Sequence, residues 1–118
     1  MEVKELMIGD LVYYSSYLDL NHQDITYVSL IDLQFIEEGN HKIIYKPIPI
    51  TGEILLKNGF IDEFNIQVYS LNGVTLREFN NAYELVGNKL LRINYVHELQ
   101  HLLKLFGLKD LACNFRIE

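Results

Sequence analysis

Cysteine is scarce in this chain of 118 residues, where Cys113 is the only one. A single thiol excludes an internal disulfide framework and a cysteine-rich zinc site. Basic residues are also few: ten Lys and Arg are scattered among sixteen Asp and Glu, and the formal charge is −6 at pH 7. Because phosphate binding needs clustered Lys and Arg, we expect no nucleic-acid partner.

Long apolar runs are missing as well. No run approaches the ~18 residues of a membrane span, and residues 1–6 lack the apolar core of a signal peptide. We therefore expect a cytoplasmic protein without membrane contact. The composition, 49% hydrophobic and 22% charged, is ordinary for a globular protein, and the length suffices for one hydrophobic core.

Proline occurs only twice, and Pro47 and Pro49 form the one plausible seam in the chain. Neither can donate a hydrogen bond to a sheet, so the first half ends there. The seam is too short to separate domains, and no flexible linker follows it. We predict a single domain over residues 1–118, with a barrel-like β half at 1–50 and a mixed half at 51–118.

The first half is predicted to be antiparallel and β-rich, of the SH3-like barrel type. A Gly9-Asp10 turn precedes the β-rich run at residues 11–14, and this entry resembles the opening of such small barrels. Turn residues on either side favour strands rather than one long helix. Further strands are predicted within residues 25–35 and 41–45.

The second half is predicted to contain a short helix, a β-meander and one long helix, which makes the fold α+β. Thr51 is a suitable N-cap, and Gly59 a suitable C-terminal residue, for a helix near 52–58. Asn72-Gly73 is the strongest hairpin signal in the sequence. The other expected elements are strands at 64–69, 74–79, 83–86, 89–93 and 113–117, turns at 80–81 and 87–88, and the long helix at 94–106.

The long helix is the most periodic segment of the chain. Its apolar residues follow the spacing of a helix packed on a core. Asn94 is expected as its N-cap, and Gly107 as the left-handed residue that ends it. His97 and His101 fall on the opposite face, which is expected to be solvated. The apolar stripe, expected to face the core, consists of Val96, Leu99, Leu103 and Phe106.

Within this helix, His97, Glu98 and His101 match the HExxH pattern of zinc metalloproteases. Imidazoles one helical turn apart can approach the same zinc ion, and Glu98 would then polarise the zinc-bound water. Catalytic zinc also needs a third protein ligand. The extended metzincin pattern is excluded, because Lys104 and Gly107 stand where it requires Gly and His.

Other subclasses take the third ligand from elsewhere in the chain. Asp110 and Glu118 follow the motif, and His22 and His41 precede it, but none stands at a recognisable spacing. We therefore predict no catalytic zinc and no cofactor. A small zinc-dependent hydrolase is the alternative, with zinc on both helix histidines.

Tyrosine is abundant, with eight in the chain. Tyr13, Tyr14 and Tyr17 lie close together beside a predicted loop, where barrel folds commonly bind ligands. Tyrosine combines a large contact area with a polar tip, so we predict these three as binding residues. The high β propensity of tyrosine explains the same cluster without any function.

Three stretches of the chain carry recognisable motifs in a fixed order. Residues 5–12 read Glu-Leu-Met-Ile-Gly-Asp-Leu-Val, residues 48–60 begin Ile-Pro-Ile-Thr-Gly-Glu, and residues 95–100 read Tyr-Val-His-Glu-Leu-Gln. Together they resemble a family of short uncharacterised proteins from gut bacteria and their phages. The resemblance implies no activity. Its members often carry Gln at the position of Glu98 and Asn at that of His101, which a metalloprotease cannot spare.

The function favoured by these features is a non-enzymatic binding module of phage or mobile-element origin. Its ligand is predicted to be a protein partner or a second copy of the chain.

Overall fold

The computed structural model describes residues 6–16, 18–19, 21–39 and 43–118. Within these ranges the fold is α+β, as predicted, with two antiparallel sheets and four helices. None of the helices in the described ranges is long and apolar enough to cross a lipid bilayer. The chain forms two compact units, Met1–Ile48 and Pro49–Glu118, whose boundary falls inside the predicted proline seam.

The first unit contains β1 (Leu11–Ser16), β2 (Asp24–Tyr27), α1 (Leu30–Glu37) and β3 (Ile43–Lys46). Its strands form an open antiparallel sheet in the order β2-β1-β3. The expected SH3-like barrel is therefore not confirmed in the part of the chain that the structure describes. The hydrophobic core of this unit consists of Leu6, Val12, Val28 and Tyr45.

Helix α1 replaces the second part of the β segment expected at residues 25–35. Ser29 is its N-cap, with Asp32 completing a capping box: the Ser29 N–H donates to Asp32 Oδ2 at 2.8 Å. The Tyr45 hydroxyl donates to the other carboxylate oxygen, Oδ1, at 2.7 Å and so attaches the helix to β3. These bonds outweigh the strand preference of the apolar residues in this segment.

The second unit contains α2 (Gly52–Lys57), β4 (Val68–Leu71), β5 (Val74–Phe79), β6 (Ala82–Leu85), β7 (Asn88–Ile93), α3 (Val96–Leu105) and α4 (Lys109–Cys113). Its strands form the predicted meander, in the order β4-β5-β6-β7. Asn72 and Gly73 have φ of 46° and 88°, the left-handed backbone that a two-residue hairpin loop requires.

The short helix near 52–58 is confirmed. The Thr51 side chain accepts a hydrogen bond from the Ile54 N–H at 3.2 Å. Gly59 has φ of 94° and donates to the Leu56 carbonyl, while Phe60 donates to the Leu55 carbonyl. This pair of bonds is a Schellman motif, which satisfies carbonyls at the helix C-terminus.

The strand expected at residues 113–117 is wrong. The helix α4 occupies Lys109–Cys113 and packs against α3, and irregular chain follows it. This terminal segment is attached to α2, because Asn58 Oδ1 accepts the Arg116 N–H at 2.8 Å and Asn58 Nδ2 donates to the Arg116 carbonyl at 2.6 Å. Two hydrogen bonds from the Asn58 side chain thus hold this segment, in place of the backbone hydrogen bonds that a strand would form.

Candidate functional site

Glu98, the central residue of the HExxH match, caps the N-terminus of α3. Its Oε1 accepts the backbone N–H of Asn94 at 2.9 Å and that of Tyr95 at 3.0 Å. The N-cap position is Tyr95, not the predicted Asn94. A carboxylate three residues into a helix satisfies free N–H groups and interacts favourably with the helix dipole. This glutamate therefore has a structural role that requires no metal.

The expectation that His97 is solvated is wrong. Its side chain is buried, with 5% exposure, and the neighbouring His101 is only half-buried. Three of the four residues of the predicted apolar stripe are confirmed, since Val96, Leu99 and Leu103 are fully buried. At the C-terminal end of the stripe, however, Phe106 is exposed.

Burial extends further around α3 than its apolar residues indicate. Gln100 is buried as well, and its Nε2 donates to the Ala112 carbonyl of α4 at 2.9 Å. Because α4 was not expected, the covering of this face could not be foreseen. A hydrophobic stripe shows which face of a helix packs against the core, but it does not show how many other elements surround the helix.

The two helix histidines are adjacent, as their spacing predicts. The ring centroids of His97 and His101 are 5.9 Å apart and the ring planes are nearly perpendicular. The His97 ring also stacks on Tyr95, with 6.0 Å between centroids and 8° between planes. The buried imidazole therefore has both an aromatic ring and a second imidazole as neighbours.

Within the described residues, no group of three or more His, Cys, Asp and Glu side chains is placed to hold a metal ion. Of the upstream histidines, His22 lies 3.4 Å from Asp24 in the first unit, and both side chains are exposed. His41 lies outside the described residues. The prediction that His97 and His101 hold no catalytic zinc stays a prediction, to be tested in solution.

Of the three tyrosines predicted as binding residues, Tyr13 and Tyr14 lie on β1. They are neighbours on this strand and therefore project to opposite faces of the sheet. Tyr14 packs against the core that contains Val12 and Tyr45. Tyr17 lies outside the described residues. This packing against the core explains why a large aromatic residue stands at position 14.

Two other tyrosines lie together on the meander. The rings of Tyr69 and Tyr83 have centroids 6.2 Å apart. Burial, and then the negative charge of Glu78, raises the pKa of Tyr83 to about 12. Burial also raises the pKa of Tyr69, and the charges of Asp62 and Glu78 raise it further.

The exposed apolar loop formed by residues 61–67 was not recognised as a site. Ile61, Phe64 and Ile66 are 64%, 73% and 61% exposed, respectively. They line an open groove of about 390 Å³ beside β4, together with Glu63, Val68 and Ser70. In the sequence, Phe64, Ile66 and Val68 alternate like the buried face of a strand. The strand begins only at Val68.

This apolar loop is held by backbone and side-chain hydrogen bonds. Ile61 exchanges two backbone bonds with Ser70 of β4, each 3.0 Å long. The Asp62 carboxylate accepts the N–H groups of Ile66 and Gln67 at 3.1 Å and 3.0 Å. An aspartate that accepts backbone N–H groups further along the chain favours a turn over an extended strand. Asp62 therefore indicates a turn at this point of the sequence, although the alternating apolar residues indicate a strand.

Comparison with known proteins adds no relative: no protein-family model, curated protein or solved structure matches the chain.

Proposed function

We propose that the chain is a non-enzymatic interaction module that binds a protein partner through the apolar loop of residues 61–67. The observation that carries this proposal is the exposure of Ile61, Phe64 and Ile66 around one groove. Single exposed apolar residues are common, but several around one concave surface mark an interaction site. The predicted phage or mobile-element origin and cytoplasmic location are compatible with such a role.

The hydrogen bonds of the apolar loop support this role. Asp62 binds two backbone N–H groups, and Ile61 is paired with Ser70. A surface already held in shape loses less conformational entropy when it binds a partner. Phe64 also offers the large aromatic contact that dominates many interfaces. The loop therefore combines an apolar surface with a fixed backbone.

The geometry of α3 supports the non-enzymatic part of the proposal. A general base in a zinc hydrolase must direct its carboxylate at the metal-bound water. Glu98 Oε1 instead accepts the N–H groups of Asn94 and Tyr95. The alternative, a zinc-dependent hydrolase, is favoured by the adjacent rings of His97 and His101.

The proposal is tested by selecting binding peptides from a displayed library of random peptides, each of about 16 residues. The wild-type chain is the target, and the library is first depleted on the double variant Phe64→Ser/Ile66→Ser. Leu105→Ser is the matched control, because Leu105 is an apolar residue with 84% exposure elsewhere in the second unit. Unchanged thermal melts of all three proteins establish that the substitutions leave the fold intact.

We expect enriched peptides that bind the wild type and the Leu105→Ser variant alike. Binding to Phe64→Ser/Ile66→Ser should be weaker by at least about tenfold, since a buried aromatic anchor contributes ~2 kcal/mol or more. The proposal would be overturned if the enriched peptides lost as much affinity for Leu105→Ser as for Phe64→Ser/Ile66→Ser. It would also be overturned if no enriched peptide depended on the apolar loop.

A further inference from the structure

We propose that the partner of the apolar loop is an amphipathic protein segment with Lys or Arg beside its apolar residues. The inference rests on the proposed function and adds the chemistry of the partner. Its apolar side chains fill the groove lined by Ile61, Phe64 and Ile66. Its basic side chains meet the acidic rim of the groove.

The described residues that line the groove include one carboxylate, that of Glu63, and no Lys or Arg. Between Lys57 and Arg77 there is no Lys or Arg, whereas Asp62 and Glu63 both fall in this interval. Glu63 lines the groove and is exposed. An exposed carboxylate at the border of an apolar groove favours a cation on the partner.

A further carboxylate, that of Glu78, lies on the adjacent strand β5. The backbone N–H of Glu78 donates to the Gln67 carbonyl at 3.1 Å, which places β5 next to the end of the apolar loop. After the larger effect of burial, Asp62 and Glu78 each raise the pKa of Tyr69, so both carboxylates lie near that hydroxyl. The register pairs Val68 with Arg77, so Glu78 projects from the opposite face of the sheet, and the carboxylate that lines the groove is that of Glu63.

The first basic residue after the apolar loop, Arg77, lies opposite Val68 in the β4–β5 register and forms an ion pair on β6. Its guanidinium lies 3.1 Å from Glu84 Oε2 and 5.4 Å from the centroid of the Phe79 ring. Glu84 also lies 3.7 Å from Arg92. Arg77 therefore has a carboxylate partner on β6, which it shares with Arg92.

Charge also decides between a basic partner and a second copy of the chain. Each copy carries a formal charge of −6, and a two-fold interface places the same patch of both copies together. The acidic rims around Glu63 would then face each other across the interface, where like charges oppose association. A segment of another protein that contributes cations is favoured instead.

The composition of the selected peptides tests this inference separately from the proposed function. Peptides that depend on Phe64 and Ile66 should contain several apolar residues and an excess of Lys and Arg over Asp and Glu. Loop-dependent peptides that are neutral or acidic would overturn the inference and leave the proposed function standing. Absence of any loop-dependent peptide would overturn both.

Affinity measurements on the most enriched synthetic peptide sharpen the test. Raising the salt from about 0.05 M to about 0.5 M should weaken its binding, because counter-ions screen exposed charges. Glu63→Gln should weaken binding about two- to fivefold, the range for exposed ion pairs, and Glu53→Gln on α2 is the control. Salt-independent binding, or equal losses for both variants, would contradict the inference. Sedimentation that shows loop-dependent dimers at micromolar concentration would contradict it as well.

Discussion

The carboxylate of Glu98 accepts the backbone N–H of Tyr95 at 3.0 Å. The same oxygen accepts the N–H of Asn94, so one side chain satisfies two of the donors that a helix start leaves free. The string that matches a zinc motif thus coincides with an ordinary helix N-terminus. Glutamate at this position is explained by the local backbone alone.

We predict that removing the side-chain carboxylate of Glu98 destabilises the chain, whereas neutralising its charge does so less. Glu98→Ala should lower the free energy of unfolding by about 0.5–2 kcal/mol, the usual range for loss of a helix cap. Glu98→Gln keeps an acceptor for both N–H groups and should lose only the dipole contribution of about 0.3–1 kcal/mol. Urea melts measure the difference, and equal losses in the two variants would contradict the capping role.

Burial of His97 changes the expected pattern of stability losses along α3. Leu99→Ala should cost about 2–5 kcal/mol, because it leaves a cavity in the core. His97→Ala should cost about 1–3 kcal/mol, since it removes a buried ring stacked on Tyr95. His101→Ala is the matched control: the ring is half-buried and the cost should stay below about 1 kcal/mol. Equal losses for His97 and His101 would show that the face of α3 carrying His97 is solvated.

We predict that zinc has little effect on the stability of the native protein. A ligand at a hundredfold excess over its Kd stabilises by about 2.7 kcal/mol, and each kcal/mol raises the melting temperature by about 3–6 °C for a chain of this size. Thermal melts of the wild type and of His97→Ala/His101→Ala are recorded with zinc and with chelator. We expect the chelator to leave the wild-type melt unchanged and micromolar zinc to move it little.

The zinc-dependent hydrolase would give a different set of results. The chelator would lower the melting temperature of the wild type by many degrees and would leave the double variant unaffected. Peptide hydrolysis by the wild type would be lost in Glu98→Gln, although that variant keeps the helix cap. These outcomes together would overturn the non-enzymatic proposal.

Local backbone requirements account for the elements that the sequence predicted well. Asn72-Gly73 and the helix-terminal Gly59 and Gly107 all have positive φ, which few other residues adopt readily. Such signals depend on neighbouring residues alone. The meander and both ends of α2 could therefore be predicted without knowledge of the rest of the chain.

The errors arose where the outcome depends on residues distant in the chain, or where a local side-chain bond opposes the pattern of apolar residues. Helix α1 is apolar on most sides, so its residues fit a strand until Asp32 bonds both Ser29 and Tyr45. Gln100 is buried because the carbonyl of Ala112 accepts its amide. The alternation of Phe64 and Ile66 could not show that Asp62 turns the chain before β4 begins.

The last prediction concerns stability at high pH. The pKa of Tyr83 is raised to about 12 in the folded chain, from a usual value of 10.0, chiefly by burial and then by Glu78. Above pH 10 the unfolded chain therefore loses the phenolic proton more readily than the folded chain. The unfolded state then binds fewer protons, so the free energy of unfolding falls as the pH rises. The contribution of Tyr83 is fully present below pH 10 and is lost as the pH rises through about 12.

Urea melts between pH 8 and pH 12 measure this loss, and near-ultraviolet absorbance follows tyrosinate formation. We expect the melting midpoint to fall steeply above pH 10, the usual tyrosine pKa. In Tyr83→Phe the fall should be shallower, because the variant retains the ring and removes the titrating hydroxyl. Tyr27→Phe is the control, since Tyr27 is exposed, and its pH profile should match the wild type. If Tyr83→Phe also followed the wild-type profile, the loss of stability would have to come from other groups.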